Sequence, residues 1–159
     1  MYATTGFPTI ARDIITAITR IALGAIFIAH GWQKFNEWTV AGTTDSFSQM
    51  GVPLPEIAAP FATFVELIGG ALLILGALTP IVGVLLAANV IGALVIVHLT
   101  PTPFVDQGGW ELVAAVAAGA LLIAAMGPGR FSIDRFLFSG KKGRGRTRTS
   151  GARSVAAEA

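Results

Sequence analysis

Four long apolar blocks, Ile14–Phe35, Ile57–Leu78, Ile81–Thr100 and Leu112–Met126, leave this chain few ways to fold. A bilayer core of about 30 Å takes roughly 20 helical residues at 1.5 Å each, and three blocks have that length. The fourth approaches it once Trp110 and Glu111 are counted in. Charged residues make up only 13% of the chain and the mean hydropathy is +0.71. Soluble domains carry about 25% charge, so this composition cannot clothe a water-facing surface. In hydrocarbon each backbone polar group must be bonded within the protein, which leaves helices as the fitting solution for blocks of this length. The expected fold is therefore all-α, a four-helix transmembrane bundle with a disordered basic C-terminal tail.

The boundaries follow from punctuation and charge. Residues 1–13 form an N-terminal segment, and the membrane domain covers 14–129 with helices near 14–35, 57–78, 80–100 and 110–126. "LTP" places Thr79 at an N-cap and Pro80 at the first helical position of the third helix. An interfacial segment over 130–138, "RFSIDRFLF", mixes charges with three Phe. The Gly, Ser, Thr, Lys and Arg of 139–159 cannot bury a core. Of the 11 Lys and Arg, eight follow Met126, whereas Asn36–Glu56 holds three acids and no cation. The positive-inside rule then puts both termini in the cytoplasm of a multi-pass protein. The first block lacks a small-residue cleavage pattern and is expected to stay as a span. The tail's cations come without interleaved aromatics, so they read as topology and anionic-lipid contacts, not nucleic-acid binding.

Ionisable groups inside the spans are the candidate site, because burying them in lipid is costly. Arg20 lies about 12 Å in from the cytoplasmic face and Glu66 roughly 17 Å, close enough in depth for an ion pair. His30, Lys34 and Arg20 fall within about 80° of one another on the first helix. With His98 and Glu111 they are expected to line a polar cavity in the outer half of the bundle. Gly24, Gly31, Gly69 and Gly70 allow close helix packing. Asn89, nine residues before His98, points the other way and is expected to make an interhelical hydrogen bond. The alternative for each residue alone is plainer: a snorkelling Lys34, and interfacial Trp32, Trp38 and Trp110.

The order "RIALGAIFIAHGWQKF", "MGVPLP", "FVELIGGALLILGALTP" and "GPGRFSIDRFL" resembles the DoxX family of small bacterial membrane proteins, over about Arg20 to Leu137. The resemblance implies a four-helix protein of the bacterial inner membrane. It further implies a link to sulfur or thiol redox chemistry and oxidative-stress defence. Soluble redox enzymes, such as a superoxide dismutase or a sulfurtransferase, are the partners it suggests beside the lipid bilayer.

With no cysteine, thiol redox chemistry and thiolate metal sites are excluded for this chain, and no metal site is read from the rest. His30 and His98 are the only histidines, and nothing else in the sequence points to a haem between them. A redox role would call for a bound quinone or a partner's cofactor; for a quinone, His30 would be a hydrogen-bond donor, with Glu66 or Glu111 relaying a proton. Three classes stay open: a redox-associated subunit binding quinone or a small solute, a scaffold for soluble enzymes, and a small-solute transporter. Whether the chain is an enzyme is left undecided by sequence, and a homo-oligomer is compatible with such a bundle.

Overall fold

A computed structural model describes residues 8–99 and 102–138, without the side chain of Phe138. The tail over 139–159 lies outside the described residues. The chain is helical, with no strand among the described residues. Helix α1 runs Thr9–Trp32 and continues through a π-turn, Gln33–Glu37. Then come α2 (Thr39–Gln49), α3 (Pro55–Leu75), α4 (Thr79–Ala93) with a second π-turn at Leu94–His98, α5 (Glu111–Met126) and a short α6 (Ile133–Phe138). Three of these, Thr9–Glu37, Pro55–Leu75 and Thr79–His98, are long and apolar enough to cross a membrane. The fourth apolar helix, α5, has 16 residues, about 24 Å of rise. A helical membrane bundle is the result.

Two stretches are more helical than their sequences suggest. Helix α1 begins at Thr9, five residues before the apolar block, because the charges of Arg12 and Asp13 end the apolar run without ending the helix. The segment expected only as an acidic external loop contains α2, despite its Thr, Ser and Gly content. Thr43, Thr44 and Ser46 each donate to the carbonyl four residues back, so hydroxyls that usually compete with a helix are absorbed by it.

Packing follows small residues. On α3 the buried stripe Ala59, Ala62, Thr63, Glu66, Gly69, Gly70 and Leu73 recurs every three or four residues, which is one helix face. Gly24 of α1 meets Gly70 of α3 so closely that a Cβ on Gly24 would lie 2.6 Å from the Gly70 carbonyl oxygen. Backbones can approach that far only without side chains. Helix α3 packs chiefly on α1, and α4 on α5. Leu23, Phe27, Leu73, Leu86, Ala120 and Ile123 join the two pairs in one apolar core.

The end of the bundle where α1 starts and α3 turns into α4 is tied by polar contacts. The expected Thr79 cap does not form: its buried hydroxyl has no partner among the described residues, and Leu78, in the left-handed region at φ 52°, precedes the helix. The acceptor comes instead from Asp134 of α6, whose Oδ1 and Oδ2 receive the backbone N–H groups of Leu78 (2.7 Å) and Thr79 (2.8 Å). A carboxylate there suits the positive end of the helix dipole. Arg20 donates to the carbonyls of Phe131 and Leu73. Asp13 Oδ1 accepts from the Arg130 N–H at 3.2 Å. The sequence "GPGRFSID" is thus a clasp joining α1, α3 and α4.

Candidate functional site: a buried lysine–glutamate–asparagine network

Arg20 does not pair with Glu66. The clasp engages its guanidinium, and Glu66 finds two other partners. Lys34 Nζ donates to Glu66 Oε2 at 2.6 Å, and Asn89 Nδ2 donates to Glu66 Oε1 at 3.0 Å. The network therefore joins the end of α1, the middle of α3 and the middle of α4. Side-chain exposure is 13% for Lys34 and 8% for Glu66, so the pair is largely removed from surrounding solvent or lipid. Buried charges persist only when paired and hydrogen-bonded. Both carboxylate oxygens are engaged here, which meets that condition.

Local structure explains the geometry. Gly31 packs on Glu66 and Leu67, bringing the end of α1 against α3. Lys34 then sits in the π-turn, where Trp38 N–H bonds back five residues to Gln33. The Lys34 carbonyl accepts from the fully buried Thr43 of α2 at 3.1 Å, fixing the backbone under the lysine. π-Turns within helices are often found at functional positions. Asn89 makes the interhelical bond expected of it, and its partner is the carboxylate at the middle of the site. The sequence offered one signal for that: an amide in the middle of an otherwise apolar helix.

The remaining expected site residues lie elsewhere. His30 is exposed, and its Nδ1 is 2.9 Å from the Ile26 carbonyl of its own helix. Arg20, Gly24 and Gly31 share a face within about 40°, whereas His30 is about 100° from Gly31, off the packed stripe. His98 is half-buried at the second π-turn, its Nδ1 3.1 Å from the Ala93 carbonyl. Glu111 is exposed and braces the loop before α5, accepting from Val105 N–H at 3.0 Å. Among the described residues no three His, Asp or Glu are grouped to hold a metal. Two residues outside the expected set, Asp13 and Asp134, prove to be buried and structural.

The α3–α4 seam also carries an apolar cavity of about 370 Å³ lined by Phe64, Val65, Ile68, Gly69, Val82 and Leu86 among others, none of them a network residue. Val65 adjoins Glu66 in sequence, and Leu86 precedes Asn89 by less than one turn. Chemically, the lysine offers three donors, of which Glu66 takes one among the described residues. The arrangement can therefore hold a polar oxygen without breaking the ion pair.

Comparison with known proteins agrees with this architecture. A family model described as DoxX matches residues 15–99, a region that contains Lys34, Glu66 and Asn89. A Bacillus subtilis protein named "Putative oxidoreductase CatD" is 35% identical over 130 residues, covering 82% of this chain and 92% of its own. The inner membrane protein YphA of Escherichia coli is 32% identical over 130 residues, covering 79% and 91%. The membrane protein Rv3486 of Mycobacterium tuberculosis is 31% identical over 128 residues, covering 74% and 78%. No solved structure matches the chain. With more than half its length under the family model and relatives aligned almost end to end, this chain belongs to the DoxX family of membrane proteins.

Proposed function

We propose that this protein is a redox-associated subunit of the bacterial inner membrane, both termini cytoplasmic, that binds a quinone head group at Lys34, Glu66 and Asn89. The observation that carries the reading is the desolvated Glu66 carboxylate held at once by a lysine and an asparagine from two other helices. Intramembrane ionisable groups are functional candidates by default, and the α3–α4 seam of the same bundle carries an apolar cavity that suits the rest of a lipophilic ligand. The oxidoreductase name carried by the Bacillus subtilis relative favours redox over transport. Sulfur or thiol metabolism and oxidative-stress defence are the settings this reading fits, with a soluble redox enzyme as electron partner.

A quinone fits the residues present. The Lys34 ammonium, steadied by Glu66, donates a hydrogen bond to a quinone carbonyl through one of its remaining N–H groups. The Asn89 amide, fixed on Glu66, holds the carboxylate in place from the opposite side. Glu66 is the group placed to take or give a proton through Lys34. When bound, the quinone supplies reversible electron and proton uptake, which this cysteine-free chain lacks.

The test is a titration of purified protein with a short-chain quinone, read by tryptophan fluorescence, since Trp32 and Trp38 flank Lys34. Saturable quenching is expected. Lys34→Met should weaken binding about 10- to 100-fold, the worth of a hydrogen bond from a charged donor. A wild-type response that never saturates would sink the reading.

A further inference from the structure

The clasp leaves an unusual charge balance at the end of the bundle that carries it. Its two acids are internal: Asp13 and Asp134 are each 7% exposed, Asp134 accepting backbone N–H groups at both oxygens and Asp13 at Oδ1. The Asp13–Arg130 bond places the Arg130 backbone against Asp13, the chain neighbour of Arg12 on α1, although the two arginines are 118 positions apart. Both arginine side chains are exposed. Phe131, next to Arg130, is 54% exposed although its carbonyl is gripped by Arg20. On α6, Phe136 and Leu137 are 86% and 61% exposed. Moored backbone, exposed guanidinium groups and exposed aromatic rings therefore belong to the same end of the bundle.

We propose that Arg12, Arg130 and Phe131 form a binding surface for the phosphate of an anionic phospholipid headgroup, with Phe136 and Leu137 seated in the adjoining acyl boundary. Guanidinium groups match phosphate oxygens bidentately. An aromatic ring at headgroup depth hides its apolar body while the neighbouring cation stays wet. Charge complementarity selects the occupant. The cytoplasmic leaflet is negative, and the cation bias of the chain directs this end toward it. The surface is independent of the quinone site, which lies in the middle of α3 and α4.

Native mass spectrometry of the full chain in mild detergent, titrated with phosphatidylglycerol and with phosphatidylcholine, tests this. Each arginine should contribute about fivefold in affinity, so Arg12→Gln with Arg130→Gln should weaken phosphatidylglycerol about 30-fold and leave phosphatidylcholine unchanged. The tail is the same in both proteins and cancels. Arg12→Lys with Arg130→Lys should retain most of the affinity, and both variants should melt like wild type because the replaced groups are exposed. Phe131→Ser should weaken the lipid without changing any response to inorganic phosphate. Undiminished phosphatidylglycerol binding by the double glutamine variant would overturn the assignment. So would displacement of the lipid by inorganic phosphate at comparable concentration, which would mark a site for the free anion.

Discussion

Asp134→Ala is the most demanding perturbation of the fold, because it removes a cap supplied from a distant part of the chain. The substitution strips acceptors from two backbone N–H groups, those of Leu78 and Thr79, and Thr79 is fully buried. Orphaning the buried Thr79 donor costs about 1–3 kcal/mol, and the donor of the half-exposed Leu78 costs about 1 kcal/mol. A total of about 2–4 kcal/mol is expected from the two lost bonds. At about 2–4 °C per kcal/mol for a chain of this size, the melting temperature in detergent should fall by about 10 °C. Asp134→Asn keeps one acceptor and should lose roughly half as much. Asp13→Ala removes a single 3.2 Å bond to a partly exposed N–H and should cost only ~1 kcal/mol. Circular dichroism melts of the three variants give the ranking directly. An Asp134→Ala melt within two or three degrees of wild type, or a larger loss for Asp13→Ala, would refute the clasp.

Gly76→Ala should fail to accumulate as folded protein, since φ is +68° and its Cβ would fall 1.7 Å from Arg20 Nη1; western blots of membrane fractions check it. Gly24→Leu should separate α1 from α3 by forcing side-chain atoms against the Gly70 carbonyl, lowering stability by about 1–3 kcal/mol in a detergent melt. His30→Phe should bind quinone as wild type does, since His30 is exposed and bonded only within its own helix among the described residues. Equal weakening by His30→Phe and Lys34→Met would return the histidine to the site. Cysteine introduced at Asp45 or Asp106 should react with an impermeant maleimide in intact cells, and cysteine at Ser150 should not; the reverse pattern would invert the topology.

A helical membrane bundle was legible because hydrocarbon tolerates little besides long apolar helices. Glu66 and Lys34 could be picked out by their cost in lipid, and the glycine stripe by its spacing. Their partners could not. Arg20 and Glu66 match in depth, but depth leaves rotation open, and the Arg20 guanidinium reaches the clasp instead. That clasp was hidden because Asp134 sits 55 residues from Thr79 in an apparently interfacial stretch. His30 lies off the packed stripe for a related reason: an angular neighbourhood of about 80° is wide enough to include the rim of a buried stripe. Helix α2 was missed because Thr and Ser hydroxyls that can bond locally signal turns and helix ends more often than helix interiors.

Whether the Lys34–Glu66–Asn89 network serves a ligand or only packing is decided by removing it whole. Buried ion pairs replaced by apolar residues of similar volume are often neutral or stabilising by about 1–4 kcal/mol. The triple variant Lys34→Met, Glu66→Leu, Asn89→Leu should therefore fold, insert and melt at or above the wild-type temperature. Its quinone titration should nevertheless show no saturable quenching. A triple variant that is equally stable and still binds quinone with wild-type affinity would show that the network is packing alone and that the ligand site lies elsewhere.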